Sequence, residues 1–141
     1  FKIYTDKIYV HKDEGKDTGM WWAQPRKKEF HIKRSRCSEQ HHYSDCAVVM
    51  LHELAHIIQD LTGVISPSKW GEAKRLDNKK YCSKYAKTND FEDFAESVVC
   101  WVAVRYKSDQ LRKNDLEKIK EYIPNRLKFF DELNFNMYPI N

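Results

Sequence analysis

Residues 52–56 read HELAH and put His52 and His56 one helical turn apart, with Glu53 between them. Residues four apart on a helix share a face. Two imidazoles so placed can hold one zinc ion at about 2.0–2.1 Å each. Glu53 projects about 100° round from His52, so its carboxylate can reach a water on the metal without ligating the metal. Zinc brings the pKa of such a water toward 7, and the Glu can take its proton as it attacks a carbonyl. The competing reading is a pair of core histidines satisfied by neighbours. A lone His would favour that reading. Two His and a Glu on an apolar helix do not, because buried ionisable groups need compensation.

A catalytic zinc needs a third protein ligand and an open fourth position. A further His six residues beyond His56 would be one solution, but that position is Thr62, and His11, His31, His41 and His42 all lie upstream. Glu92 and Glu96 stand on one face of a second apolar segment and are better candidates. One can ligate the metal. The other can accept a hydrogen bond from a ligand imidazole and orient it. Glu92 also fits a capping box opened by Asn89, and Glu96 also fits a solvated charge.

The elements that must position these groups follow from periodicity and caps. Residues 44–62, SDCAVVMLHELAHIIQDLT, predict a helix that Ser44 or Asp45 can start and Gly63 can end. Apolar residues surround it, which predicts burial on most sides. Residues 89–106, NDFEDFAESVVCWVAVRY, predict a second long helix. Two shorter amphipathic helices follow at 114–123 and 125–133, with Pro124 opening the latter. Residues 63–88 are polar and irregular, with a short helix near 70–76. Residues 1–11 read as one or two strands and 12–19 as a loop. Residues 29–34 read as a half-buried edge strand, with Phe30 and Ile32 on one face.

The chain has 141 residues, 41% of them hydrophobic and 13% aromatic, which suits one folded domain over 1–141. No apolar run approaches a membrane span. The net charge of +4 is mild, and the basic residues clustered between Arg26 and Arg36 read as a solvated face. They lack the aromatic interleaving of an RNA-binding surface, so no nucleic-acid partner is expected. Four cysteines, at 37, 46, 82 and 100, contain no CxxC pair. That disfavours a structural zinc knuckle and favours two disulfides in a secreted protein.

HELAH followed by YAKTNDFEDFAESV, residues 85–98, resembles the catalytic domain of anthrax lethal factor and its relatives, including the clostridial Pro-Pro endopeptidases. The specific part of the likeness lies in 52–56 and 85–96. The four cysteines and the N-terminal strands depart from the family pattern. The resemblance implies an α+β, zincin-like fold of the gluzincin type. A small N-terminal mixed sheet would precede the HExxH helix, and a helical part would follow it. It implies a secreted, toxin-like zinc endopeptidase acting on a protein or peptide substrate as a monomer, with one Zn(2+) per chain. Matched residue by residue, His52, His56 and Glu92 would ligate zinc and Glu96 would stand behind a ligand. Glu53 would be the base and Tyr85 the tyrosine at the reaction centre.

A phenol near the zinc can donate to the developing oxyanion. Tyr81 competes with Tyr85 for that part. As in zincins generally, the strand at 29–34 would pair with extended substrate, making Phe30, His31 and Ile32 substrate-binding. Trp21, Trp22 and Trp70 could line the cleft, although large aromatics more often fill cores. If the two long helices run antiparallel, Cys46 pairs with Cys100 and Cys37 with Cys82. The local pairing, Cys37–Cys46 with Cys82–Cys100, is the alternative. Two other functions fit the same residues. One is a zincin scaffold that binds without cutting; the other is a cytosolic HExxH regulatory protease.

Overall fold

The computed structural model describes residues 7–11, 22–24, 27, 29–33, 43–61 and 66–137. Cys37, Trp21, Gly63 and the expected 12–19 loop lie outside them, as do the side chains of Trp22, Ser44 and Asp45.

Among the described residues three strands form one sheet: β1 (Lys7–His11), β2 (Trp22–Gln24) and β3 (Glu29–Lys33). The order is β1-β3-β2, with β1 parallel and β2 antiparallel to β3. The expected edge strand is therefore the central one. Glu29, Phe30 and His31 have neighbours on both sides, Gln24, Ala23 and Trp22 on one and Lys7, Ile8 and Tyr9 on the other. Their backbone groups serve the sheet and leave none for a substrate strand. The alternation along β3 is as expected. Phe30 and Ile32 turn to one face and pack with Cys46, Met50, Leu54 and Ile57 of the next helix. His31 turns to the other face and stacks on its register partner Tyr9, with ring centroids 4.9 Å apart.

The long helix α1 runs Tyr43–Leu61. It offers its neighbours two faces. Cys46, Met50, Leu54 and Ile57 cover the sheet, while Leu51 and Ala55 join the main core. Burial on most sides holds only for its later turns, since Ala47, Val48 and Val49 are exposed.

Helix α2 (Pro67–Leu76) has Pro67 at its first turn and Ser66 as cap, whose hydroxyl accepts from the Lys69 amide. Asn78 and Lys79 then adopt positive φ, 52° and 58°, and redirect the chain. A 3-10 turn, Tyr85–Lys87, leads into α3 (Asp90–Tyr106). Asn89 caps α3 by accepting from the Phe91 and Glu92 amides at 2.9 and 3.0 Å. The acidic first turn of Asp90, Glu92 and Asp93 suits the positive end of the helix dipole. Helices α4 (Lys113–Tyr122) and α5 (Pro124–Glu132) follow, with Pro124 opening the latter.

The main core lies between α3, α2 and α5. Trp70 of α2 meets the rings of Phe94, Phe129 and Phe130 at 5.2, 5.3 and 5.7 Å. Trp70 is thus a core residue and lines no cleft. Beside it lies a buried ion network. Arg126, 1% exposed, donates to Asp77 and Asp93, each at 2.9 Å. Asp77 also accepts from the backbone amides of Asn125 and Arg126. A residue at the end of α2 thereby caps α5, whose own preceding residue makes no side-chain cap. Burial pushes the Asp93 carboxyl up, against the pull of Arg126.

Candidate metal centre

Helices α1 and α3 pack side by side and antiparallel. His52 meets both Glu92 and Glu96, while His56, one turn later, meets Glu92 nearer the start of α3. The acidic first turn of α3 therefore comes to rest against the HExxH face of α1.

Three donor atoms converge there. His52 Nε2 lies 3.2 Å from His56 Nε2, and Glu92 Oε2 lies 3.0 and 3.4 Å from the same two nitrogens. These three residues form the one His/Cys/Asp/Glu group among the described residues whose donors could hold a metal ion. The edges can be compared with a tetrahedron. Ligand bonds of about 2.0–2.1 Å place neighbouring donors about 3.3–3.4 Å apart. Glu92 Oε2 is buried and, despite its closeness to both rings, has no hydrogen-bond partner of acceptable geometry. An orphaned buried carboxylate oxygen facing two imidazole nitrogens is what a cation would satisfy. The residues present therefore fit a divalent metal.

Glu96 takes the other part. Its Oε1 lies 2.8 Å from His52 Nδ1. With the proton on Nδ1, that bond leaves the Nε2 lone pair free to face the donor cluster. Burial opposes the charged form of His52. The Glu96 hydrogen bond and the charges of Glu96, Glu53 and Glu92 outweigh it, so the pKa stands above its ordinary 6.5. His56 moves the other way, lowered by burial and by the neighbouring His52. The His52 hydrogen bond draws Glu96 below the ordinary carboxylate value, with a further hydrogen bond from Ser83.

Glu53 is half-buried on α1, and its charge bears on both His52 and Tyr85. Tyr85 stands at the mouth of the cluster, 54% exposed, with its ring 5.7 Å from that of His52. Burial and the Glu92 carboxylate raise its pKa, so the phenol stays protonated and can donate. Tyr81, the competing tyrosine, lies instead under the Arg126 guanidinium, 5.4 Å from its ring centre. Asn89 caps α3 as half of a capping box would, but Glu92 Oε2 faces the imidazoles. Glu92 thus joins cap and cluster.

The expected site residues divide into two groups. His52, His56, Glu53, Tyr85, Glu92 and Glu96 come together. Phe30, His31 and Ile32 do not join them. Phe30 is buried at 1% beneath α1, Ile32 is partly buried against the same cluster, and His31 is held by Tyr9 and Glu29. Both favoured disulfides are also corrected. Cys46 is disulfide-bonded, whereas Cys82 and Cys100 are free thiols, so neither Cys46–Cys100 nor Cys37–Cys82 forms. The reason is rotational. Cys46 lies about 120° round α1 from His52 and faces the sheet, where it packs on Phe30. Cys100 lies one turn from Glu96 on α3, on the side that Cys82 approaches.

Sequence reasoning missed Ser83. Its hydroxyl accepts the Ala86 amide at 3.0 Å and so shapes the turn that carries Tyr85, besides bonding to Glu96. A Ser three residues before an unpaired turn amide was the available signal.

No protein-family model, no curated protein and no solved structure matches the chain.

Proposed function

We propose that this chain is a zinc-dependent endopeptidase with a zincin-like fold, in the manner of the lethal factor relatives that its 52–56 and 85–96 segments resemble. The observation that carries the reading is the convergence of His52, His56 and Glu92 with Glu96 seated behind His52. Two imidazoles and a carboxylate at near-tetrahedral spacing are a donor set that suits zinc. Zinc, when bound, supplies a Lewis acid and a water of lowered pKa.

The remaining chemistry belongs to side chains. Glu53 takes a proton from the attacking water and passes it to the leaving amine. Tyr85, kept protonated, donates to the oxyanion of the tetrahedral state. Glu96 holds the ring of His52 in one tautomer. The substrate is a protein or peptide, and the exposure of Tyr85 leaves that side of the cluster open to it. The disulfide at Cys46 supports a secreted enzyme working in an oxidising compartment.

A peptide-library digest read by mass spectrometry, with the protein first stripped of metal and then reloaded with zinc, tests the reading. Cleavage that appears only with zinc supports it. Zinc binding without cleavage of any peptide would make the chain a binding scaffold.

A further inference from the structure

We propose that Cys82 and Cys100 are a redox-convertible pair whose disulfide fastens the Tyr85-bearing turn to α3. The inference does not depend on the metal or on hydrolysis. Its basis is placement. The Cys82 thiol reaches the Glu96 carbonyl oxygen at 3.4 Å. In an α-helix the carbonyl of residue 96 accepts from the amide of residue 100. The Cys82 sulfur therefore sits at the helical turn from which Cys100 projects. Both cysteines are partly buried, and both pack against the main core. They are the free thiols among the described residues, while Cys46 is already oxidised. The Cys100 thiol beside it, and burial, hold the Cys82 thiol well above the usual thiol range, as two adjoining sulfurs should. No metal-holding group among the described residues includes either sulfur, so a shared cation does not account for the pairing.

The conversion is a thiol–disulfide exchange with a low-molecular-weight disulfide as oxidant. Cys100, as the thiolate, attacks one sulfur of the oxidant, forms a mixed disulfide and expels one thiol; with Cys100 so capped, its sulfur no longer holds the proton on Cys82. The second protein thiolate then attacks the protein sulfur of that mixed disulfide and expels the second thiol. The two cysteines lose two electrons and two protons, and the oxidant is reduced to two thiols. The new bond closes a ring from 82 to 100 that contains Tyr85, Glu92 and Glu96. Such a ring restricts the unfolded chain and limits opening of the 82–89 segment.

The test uses the whole native protein in glutathione buffers of rising oxidised fraction, read by intact mass, peptide mapping and thermal melting. The expected result is a loss of about 2 Da, one peptide joining Cys82 to Cys100, and a melting temperature roughly 5–10 °C higher. Amide exchange over 83–89 should slow in the oxidised form. Cys100→Ser should instead stop at a glutathione adduct or stay reduced. The wild-type map decides even if that variant fails to fold. Native protein that ends as a mixed disulfide, or that joins either cysteine to Cys46, overturns the pairing. A joined pair with unchanged melting and exchange overturns the fastening.

Discussion

His52 Nδ1 and Glu96 Oε1 lie 2.8 Å apart across the α1–α3 contact, and that one bond turns the opposite ring nitrogen toward His56 and Glu92. Glu96→Ala should therefore weaken metal affinity by roughly 10–100-fold while leaving all three donors in place. Competition with a chromophoric chelator measures the change. Unaltered affinity would mean that the packing of α1 alone orients the ring.

The same pair contributes to the pH dependence of the metal-free protein, and the lowered His56 opposes it below pH 6.5. His52 has a folded pKa above 6.5, so its contribution is complete below pH 6.5 and is lost as pH rises through the folded value. Glu96 has a folded pKa below 4.5, so its contribution is complete above pH 4.5 and is lost as pH falls through the folded value. Together they stabilise most between those limits. Thermal melts of metal-free wild type and of Glu96→Gln should therefore diverge most between those limits. A variant with the parent's profile would contradict the assignment.

Glu53 and Tyr85 are not among the three converging donors, although the Tyr85 phenol hydrogen-bonds Glu92. Glu53→Gln should keep zinc and lose at least about 10²-fold in hydrolysis. Tyr85→Phe should cost roughly 10²-fold in kcat, also with zinc retained. Zinc content by elemental analysis, beside turnover of one peptide from the library digest, separates chemistry from binding. Full turnover by the Glu53 variant would remove it as the base.

Arg126 joins the end of α2 to the start of α3, through Asp77 and Asp93, and Asp93 is the neighbour of Glu92. Arg126→Met would strand two buried carboxylates and should cost about 3–5 kcal/mol in urea denaturation. Restoring neutrality at Asp93 in a double variant should recover part of that loss. A loss under about 1 kcal/mol would indicate that water reaches these carboxylates.

What the sequence made legible was local. The spacing of His52 and His56, the Asn89 cap and the Phe91–Val98 pattern are short-range features, and they placed α1, α3 and the two imidazoles, with Glu92 and Glu96 as rival third donors between which only the resemblance chose. Pro124 marked the start of α5 by its fixed φ alone. Three other features depend on which segments meet. β3 is central because β1 crosses to its far side, and nothing in EFHIK announces a second neighbour. Cysteine partners are set by helix rotation, which placed Cys46 on the sheet side of α1. The network of Asp77, Arg126 and Asp93 draws its charges from the residue after α2, from α5 and from α3, and no periodicity singles them out. Trp70 reads as a cleft or core aromatic until Phe94, Phe129 and Phe130 surround it.

The sheet order also bears on biosynthesis. β2 and β3 are neighbours in the chain and can pair as soon as both exist, but β1, made first, finds its partner only when β3 has left the ribosome. Until then the β1 segment lacks the β3 partner of its folded register, and its hydrogen-bonding groups on that side are open to chaperones or to stray strands.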